Sequence, residues 1–328
     1  MTVLTTVLQR YFTDYAPRQR GLSPNTISAY RDTWRLLLKH AASAGVNPDR
    51  ADFDTIDADM VTRFLDHLQT VRGNTTTTRN QRLAGIKAIV AFAQPDYPEH
   101  ADTLSRILAI PTKRSPACQP VFLTPQETEH LIAAPDTTTW TGRRDRAMLT
   151  LAAQTGLRVS ELASLAITDL RLDTSKTVNT IGKGRKTRAT PLTASTVAVL
   201  RRYLAERATH PGIALFPGPK GQPLTRDAIE RRLAIHLAAT ATTSPGIAAK
   251  HVTMHTLRHT AAMRLLEAGV DIAVIALWLG HEHTTTTDRY LHGHLGLKQE
   301  AIDRTRPSSV KPGRYKPAPN ILAWLDQL

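Results

Sequence analysis

The sequence has 328 residues, 41% hydrophobic and 21% charged, the proportions of an ordinary folded chain and not of a disordered one. Lys and Arg total 42 against 28 Asp and Glu, a net charge of +14 with a pI near 10.2; this is the electrostatic footprint of a nucleic-acid binder, although a ribosome contact or an anionic membrane surface would leave the same mark. No run approaches the ~20 apolar residues of a membrane span, no secretory pattern opens the chain, and Cys118 is the single cysteine, which excludes an internal disulfide framework and gives a cytoplasmic, nucleoid-associated protein as the expectation.

At this length two domains of ~100–200 residues are expected. Residues 1–110 read as a small helical bundle. Val3 to Tyr15 has helical apolar spacing. Ser23-Pro24 supplies a cap and a first-turn proline for a helix over Thr26–Ala44, on which Ile27, Tyr30, Trp34, Leu37 and Leu38 share a face. Met60, Phe64, Leu65 and Leu68 mark a third helix, Leu83, Ile86, Ile89, Val90 and Phe92 a fourth, and Leu104–Leu108 a short fifth. Residues 111–120 hold three prolines, which predicts an extended, solvated linker.

The second domain, 121–300, opens with Thr124-Pro125-Gln126-Glu127, a capping box with proline at the first helical position. Helices are predicted at Asp145–Gln154 and Val159–Leu165. From Leu170 to Leu192, β-branched residues flank Gly182-Lys183-Gly184, a hairpin signal. Further helices are predicted at Ala194–Arg207, Thr225–Ala239, His255–Glu267, Asp271–Leu279 and Thr284–His292. Residues 301–328 form a tail in which 320–328 is an apolar-faced helix candidate, placed to dock on a neighbouring protomer or to cap its own domain.

Several separated places carry groups suited to a phosphodiester. Arg158, in Thr155-Gly-Leu-Arg-Val-Ser-Glu161-Leu, begins a helix. Guanidinium matches two phosphate oxygens at once, and Glu161 is three residues on, on the same face. A surface ion pair would read the same way. Lys183 stands at a glycine-flanked turn in a hairpin that also holds Arg185, Lys186 and Arg188; it could protonate a leaving oxygen, touch phosphate or be solvated. His255 and Arg258 are three apart at a helix start, a phosphate clamp or an ordinary polar face. His281 follows Leu279-Gly280, and Tyr290 comes nine residues later. A phenol of pKa ~10 needs cationic neighbours or a base to act as a nucleophile, and a lone Tyr also serves as a packing residue.

Taken together, these boxes resemble the tyrosine recombinase, or phage integrase, family. Thr-Gly-Leu-Arg158-Val-Ser-Glu161-Leu resembles its first-arginine box, Ile181-Gly-Lys183-Gly-Arg-Lys-Thr-Arg188 its catalytic-lysine hairpin, His255-Thr-Leu-Arg258-His-Thr260 its His-x-x-Arg box, and Leu279-Gly-His281 with Tyr290 its final box. The layout is nearest the Xer-like bacterial branch. The Thr-rich run before Tyr290 departs from the pattern without altering the spacing from His281. The resemblance implies a mainly α fold with a small β-sheet or hairpin, a SAM-like helical core-binding domain and an α+β catalytic domain. It implies that Arg158, His255, Arg258 and His281 hold the scissile phosphate, that Lys183 is the general acid, that Glu161 positions a neighbour, and that Tyr290 forms a 3′-phosphotyrosyl bond. No ATP, metal ion or other cofactor is implied.

Double-stranded DNA is the expected partner, held in a clamp of both domains, with a homotetramer assembled on it. Candidate contacts are Arg79, Arg82 and Lys87 on the fourth helix and Arg185, Lys186 and Arg188 on the hairpin, each equally readable as a solvated side chain. Three other readings compete. A non-catalytic DNA-binding relative would lack part of the set. A metal-dependent nuclease could use the i, i+4 pair His255/His259, with His281, His283, His292 and His294 nearby in sequence, but no His-Glu-x-x-His is present, since His281-Glu282-His283 has the wrong spacing. A type IB topoisomerase shares the chemistry without exchanging partners.

Overall fold

The computed structural model describes residues 2–114, 121–173, 175–182 and 187–280. Lys183, Arg185, Lys186, His281, Tyr290, Cys118, the predicted helix over Thr284–His292 and the whole tail lie outside the described residues. The chain divides into two compact units, Met1–Ala117 and Cys118–Leu328.

The first unit is helical throughout: α1 (Val3–Arg10), α2 (Pro24–Ser43), α3 (Ala58–Thr70), α4 (Thr76–Ala93) and α5 (Ala101–Ala109). Each of the first four starts on a side chain that accepts from an otherwise orphaned amide: Thr2, Ser23, Asp57 and Thr75. The helix predicted over Val3–Tyr15 instead changes to a π-helical stretch, Tyr11–Gln19, which contains Pro17. The wider turn brings Tyr11 and Tyr15 onto Phe92 of α4, with ring centroids 5.5 and 4.4 Å apart. Trp34, Leu37, Phe64, Leu65, Ile86 and Ile89 are fully buried in the common core.

Arg79 departs from both expectations, a DNA contact and a solvated cation. It is 3% exposed, and its Nη1 donates to the Pro111 carbonyl at 2.9 Å and to Asn80 at 3.1 Å. Asn80 in turn pairs with both backbone groups of Lys113, and Lys113 Nζ reaches Asp66 and Gln69. The described start of the predicted linker is thus exposed but pinned to α3 and α4. Lys87 is half-buried; burial first, and then the Arg79 charge, hold its ammonium below the usual value. Arg82 bonds the Ala29 carbonyl and Thr33 Oγ1, beside a groove of about 700 Å³ between α2 and α4.

The second unit comprises α6 (Pro125–Ala133), α7 (Trp140–Thr155), α8 (Val159–Ser164), β1 (Leu170–Arg171), β2 (Thr177–Ile181), β3 (Thr187–Pro191), α9 (Ala194–Arg207), α10 (Arg226–Ala241), α11 (Pro245–Ala248), α12 (Met254–Glu267) and α13 (Ile272–Leu279). The capping box at Thr124/Glu127 forms in both directions. The expected hairpin is the larger part of a three-stranded antiparallel sheet in the order β1-β2-β3, with Val178 opposite Thr190 and Thr180 opposite Arg188. Met148, Leu151, Leu162, Val178, Leu200 and Leu257 meet in one core around α7.

A charged knot ties α7 to α10. Asp145, wholly buried, accepts from Arg144 at 2.8 and 3.0 Å, from His236 Nε2 at 2.9 Å and from Arg232. Burial pushes this carboxyl up, but the bonds from His236, Arg144 and Arg232 outweigh it and leave it below the ordinary carboxylate range. Asp145→Ala leaves Arg144 with the Pro217 carbonyl and takes the carboxylate from Arg232 and His236, and breaking such a buried set costs about 3–5 kcal/mol. Because the folded value is depressed, the stabilisation is complete above the unfolded pKa of ~3.9 and is lost as pH falls through the lower folded value. Urea unfolding at neutral pH measures the loss; a change below about 1 kcal/mol would mean that the knot is energetically idle.

Candidate active site

The C-termini of α7 and α13 end against each other. Such ends leave carbonyls without helical partners and carry the negative pole of the helix dipole. Gly156 closes α7 and Gly280 closes α13, both in the left-handed region with φ of 64° and 66°, which glycine adopts without penalty. A Cβ on Gly156 would lie 2.8 Å from Leu279 Cδ2 and 3.0 Å from Ala261 Cβ, so the close approach also requires glycine. Trp278 Nε1 donates to the Thr155 carbonyl at 3.1 Å and fastens the same junction.

Two of the predicted arginines bind this junction. Arg258 on α12 is 3% exposed; its Nη1 donates to Gly156 O and its Nη2 to Leu279 O, each at 2.7 Å. Arg158, the N-cap residue of α8, donates from Nη2 to Gly280 O at 3.0 Å and from Nη1 to Glu161 Oε1 at 2.9 Å, while its backbone amide donates to Glu161 Oε2 at 2.8 Å. Arg158 keeps about a third of its side chain exposed, whereas Glu161 is buried. The ion pair that the sequence offered is therefore real, but it sits in a buried cluster and not on an open surface.

Arg188, expected among the DNA contacts, is placed otherwise. Its Nη1 and Nη2 donate to the two oxygens of Glu161 at 3.0 and 2.7 Å, and its side chain is 12% exposed. A guanidinium spent on both oxygens of a buried carboxylate is not a solvated phosphate contact. Burial pushes the Glu161 carboxyl up, but the Arg188 bonds and those from Arg158 outweigh it and hold it below the ordinary range.

His255 lies one turn before Arg258, exposed, with its ring centroid 4.2 Å from that of His259 in an edge-on arrangement. Among the described residues no group of three or more His, Cys, Asp or Glu is placed to hold a metal ion. The structure brings Arg158, Glu161 and Arg258 together, with Gly280 immediately before His281. Sequence reasoning missed the acceptors, the carbonyls of Gly156, Leu279 and Gly280. The two glycines at helix ends were the available signal.

Known proteins resemble this chain over most of its length. Residues 121–295 match the model of the phage integrase family, and residues 9–95 match that of the phage integrase N-terminal SAM-like domain. The protein y4rC of Sinorhizobium fredii, which carries the name integrase/recombinase, is 44% identical over 326 residues, 99% of this chain and 98% of its own length. Tyrosine recombinase XerC of Pelobacter propionicus is 32% identical over 308 residues, 92% of this chain and 96% of its own. Among solved structures, the XerH site-specific recombinase bound to palindromic difH substrate, a post-cleavage complex, shares the fold with a TM-score of 0.68 at 22% identity, over 87% of this chain and 81% of that one. The chain belongs to the phage integrase family, the tyrosine recombinases.

Proposed function

We propose that the chain is a site-specific recombinase that cuts and rejoins double-stranded DNA through a 3′-phosphotyrosyl intermediate at Tyr290. The observation that carries this reading is the convergence of Arg158 and Arg258 on the carbonyls of Leu279 and Gly280, one residue before His281. Phosphoryl transfer depends on in-line positioning and on charge stabilisation of the phosphoryl oxygens, and two preorganised guanidiniums supply both.

In this mechanism Tyr290 Oη bonds to phosphorus as the bond from phosphorus to O5′ breaks. The phenolic proton passes to an imidazole, His255 or His281, and the Lys183 ammonium gives a proton to O5′. Arg158, Arg258 and the two histidines hold the phosphate, and Glu161 fixes Arg158. A 5′ hydroxyl from a partner strand then attacks the phosphotyrosine and releases Tyr290. One phosphodiester is exchanged for another, so neither ATP nor a metal ion is called for. Exchange of both strands between two duplexes takes four cleavages, which favours a homotetramer on DNA. The basic side chains Arg82, Lys87, Arg185 and Lys186 are proposed phosphate contacts, and Arg79 a structural residue.

The test is covalent capture. The chain is incubated with nicked duplexes of randomised sequence, from which a cut 5′ end diffuses away and traps the intermediate. Trapped duplexes are amplified and sequenced, and the labelled peptide is mapped. A single enriched site linked to Tyr290 is expected. Binding without any trapped adduct would leave a DNA-binding protein in place of an enzyme, and loss of the adduct on addition of a chelator would point to metal-dependent cleavage.

A further inference from the structure

The Arg158 cluster contains one guanidinium for which the proposed reaction has no use. Arg188 lies on β3, five residues after Lys183 and across the ladder from Thr180. Its fork closes on both oxygens of Glu161, the carboxylate that also accepts from Arg158. The same guanidinium covers Gly280: a Cβ there would come within 2.7 Å of Arg188 Nη1 and 3.1 Å of Cζ. Three pieces of chain therefore meet at this side chain. They are the strand that follows Lys183 in sequence, the helix start that carries Arg158, and the residue that precedes His281 in sequence.

We infer that Arg188 is a positioning residue, the strut that sets the Lys183 hairpin in register with Arg158 and with the end of α13. The inference rests on the recombinase reading of the site. Its physical basis is the two-point bond. A planar fork bound to both oxygens of a buried carboxylate fixes orientation as well as distance, and β3 pairs with β2 up to Ile181–Thr187, where Ile181 is two residues in sequence from Lys183. Without the fork the hairpin keeps its ladder but loses its tie to Glu161, and Glu161 loses one of the two guanidiniums that orient it. A misplacement of ~1 Å at a reacting group costs about 100-fold in rate.

The test uses the full chain, its Arg188→Ala and Arg188→Lys variants, and the nicked duplex enriched by the unaltered chain. At saturating duplex, Arg188→Ala should form adduct at least ~100-fold more slowly, with affinity and its salt dependence unchanged within about 3-fold. Arg188→Lys should fall between, because an ammonium keeps the charge but grips one point. A second substrate carries sulfur in place of the bridging O5′. A thiolate, whose acid has a pKa of ~8.5, leaves without a donated proton, so a misplaced Lys183 matters less and the Ala variant should recover at least ~10-fold relative to the oxygen substrate. Equal slowing on both substrates would reduce Arg188 to a folding residue. Weakened binding with a salt slope lower by about one would make it a phosphate contact. Unchanged cleavage would end the inference outright. Failure of the unaltered chain to form any adduct would instead remove the recombinase reading beneath it.

Discussion

A Tyr290→Phe chain is expected to bind the enriched duplex as the unaltered chain does and to form no adduct, a fall of at least about 10⁴-fold in cleavage. The substitution keeps the ring and deletes one oxygen, so it removes the proposed nucleophile with the smallest change to the side chain. Near neutral pH only about a thousandth of an ordinary phenol is ionised, so the proposed attack needs a base or cationic groups to supply the phenolate. Tyr203 cannot stand in. It is 3% exposed, its hydroxyl donates to the Leu215 carbonyl at 2.7 Å, and burial drives its pKa upward, away from an accessible phenolate. Gel shift and denaturing gel on the same sample separate the two quantities. Adduct persisting in the variant would place the nucleophile elsewhere.

Arg258→Ala should fail in two ways at once. Its guanidinium is the donor to Gly156 O and Leu279 O in a nearly water-free pocket, and each buried acceptor left unmatched costs about 1–3 kcal/mol. Loss of one preorganised charge from a developing phosphorane costs a further 10²–10³-fold or so in rate. Arg258→Lys separates the effects. A point charge reaches one carbonyl but not both, so part of the stability returns while cleavage stays down by about 100-fold. Urea unfolding and adduct kinetics on both variants give the comparison. Full cleavage by the Lys variant would show that charge alone suffices at this position.

Much of the fold is legible in the sequence because it is written locally. Thr124-Pro-Gln-Glu127 specifies its own helix start, and Ser23-Pro24 does the same for α2. Ala194–Arg207 falls where its pattern predicts. The departures have local causes as well. α7 begins at Trp140 and not at Asp145 because Thr139 caps it with an acceptor bond to the Gly142 amide. β1 is two residues long and carries no periodicity to read. The π-helical stretch contains Pro17, which has no amide to donate to a regular ladder, and it carries Tyr15 onto Phe92.

The site divides along the same line. Residue types and spacing single out Arg158, Glu161 and Arg258, because each sits at a helix start whose chemistry is visible. They say nothing of Arg188 and Glu161, 27 residues apart and joined through the sheet, nor of Arg79, whose burial depends on where Pro111 passes. A basic side chain on a helix or strand looks solvated until a tertiary partner takes it up.

How the arginines are anchored bears on electroneutrality at the reaction centre. The Gly156 and Leu279 carbonyls that accept from Arg258 are neutral, so these two bonds cost it none of its formal charge. Glu161 brings one negative charge to the two guanidiniums that bond it, Arg158 and Arg188, which leaves one positive charge in excess in that set. A phosphodiester carries one negative charge, and attack by a phenolate raises it to two in the pentacoordinate phosphorane. In the proposed reaction the Arg158–Glu161–Arg188 set therefore matches the single charge of the bound ester, and the second charge falls to Arg258, Lys183 and the imidazoles; interactions that grow with that second charge accelerate a reaction instead of merely tightening binding.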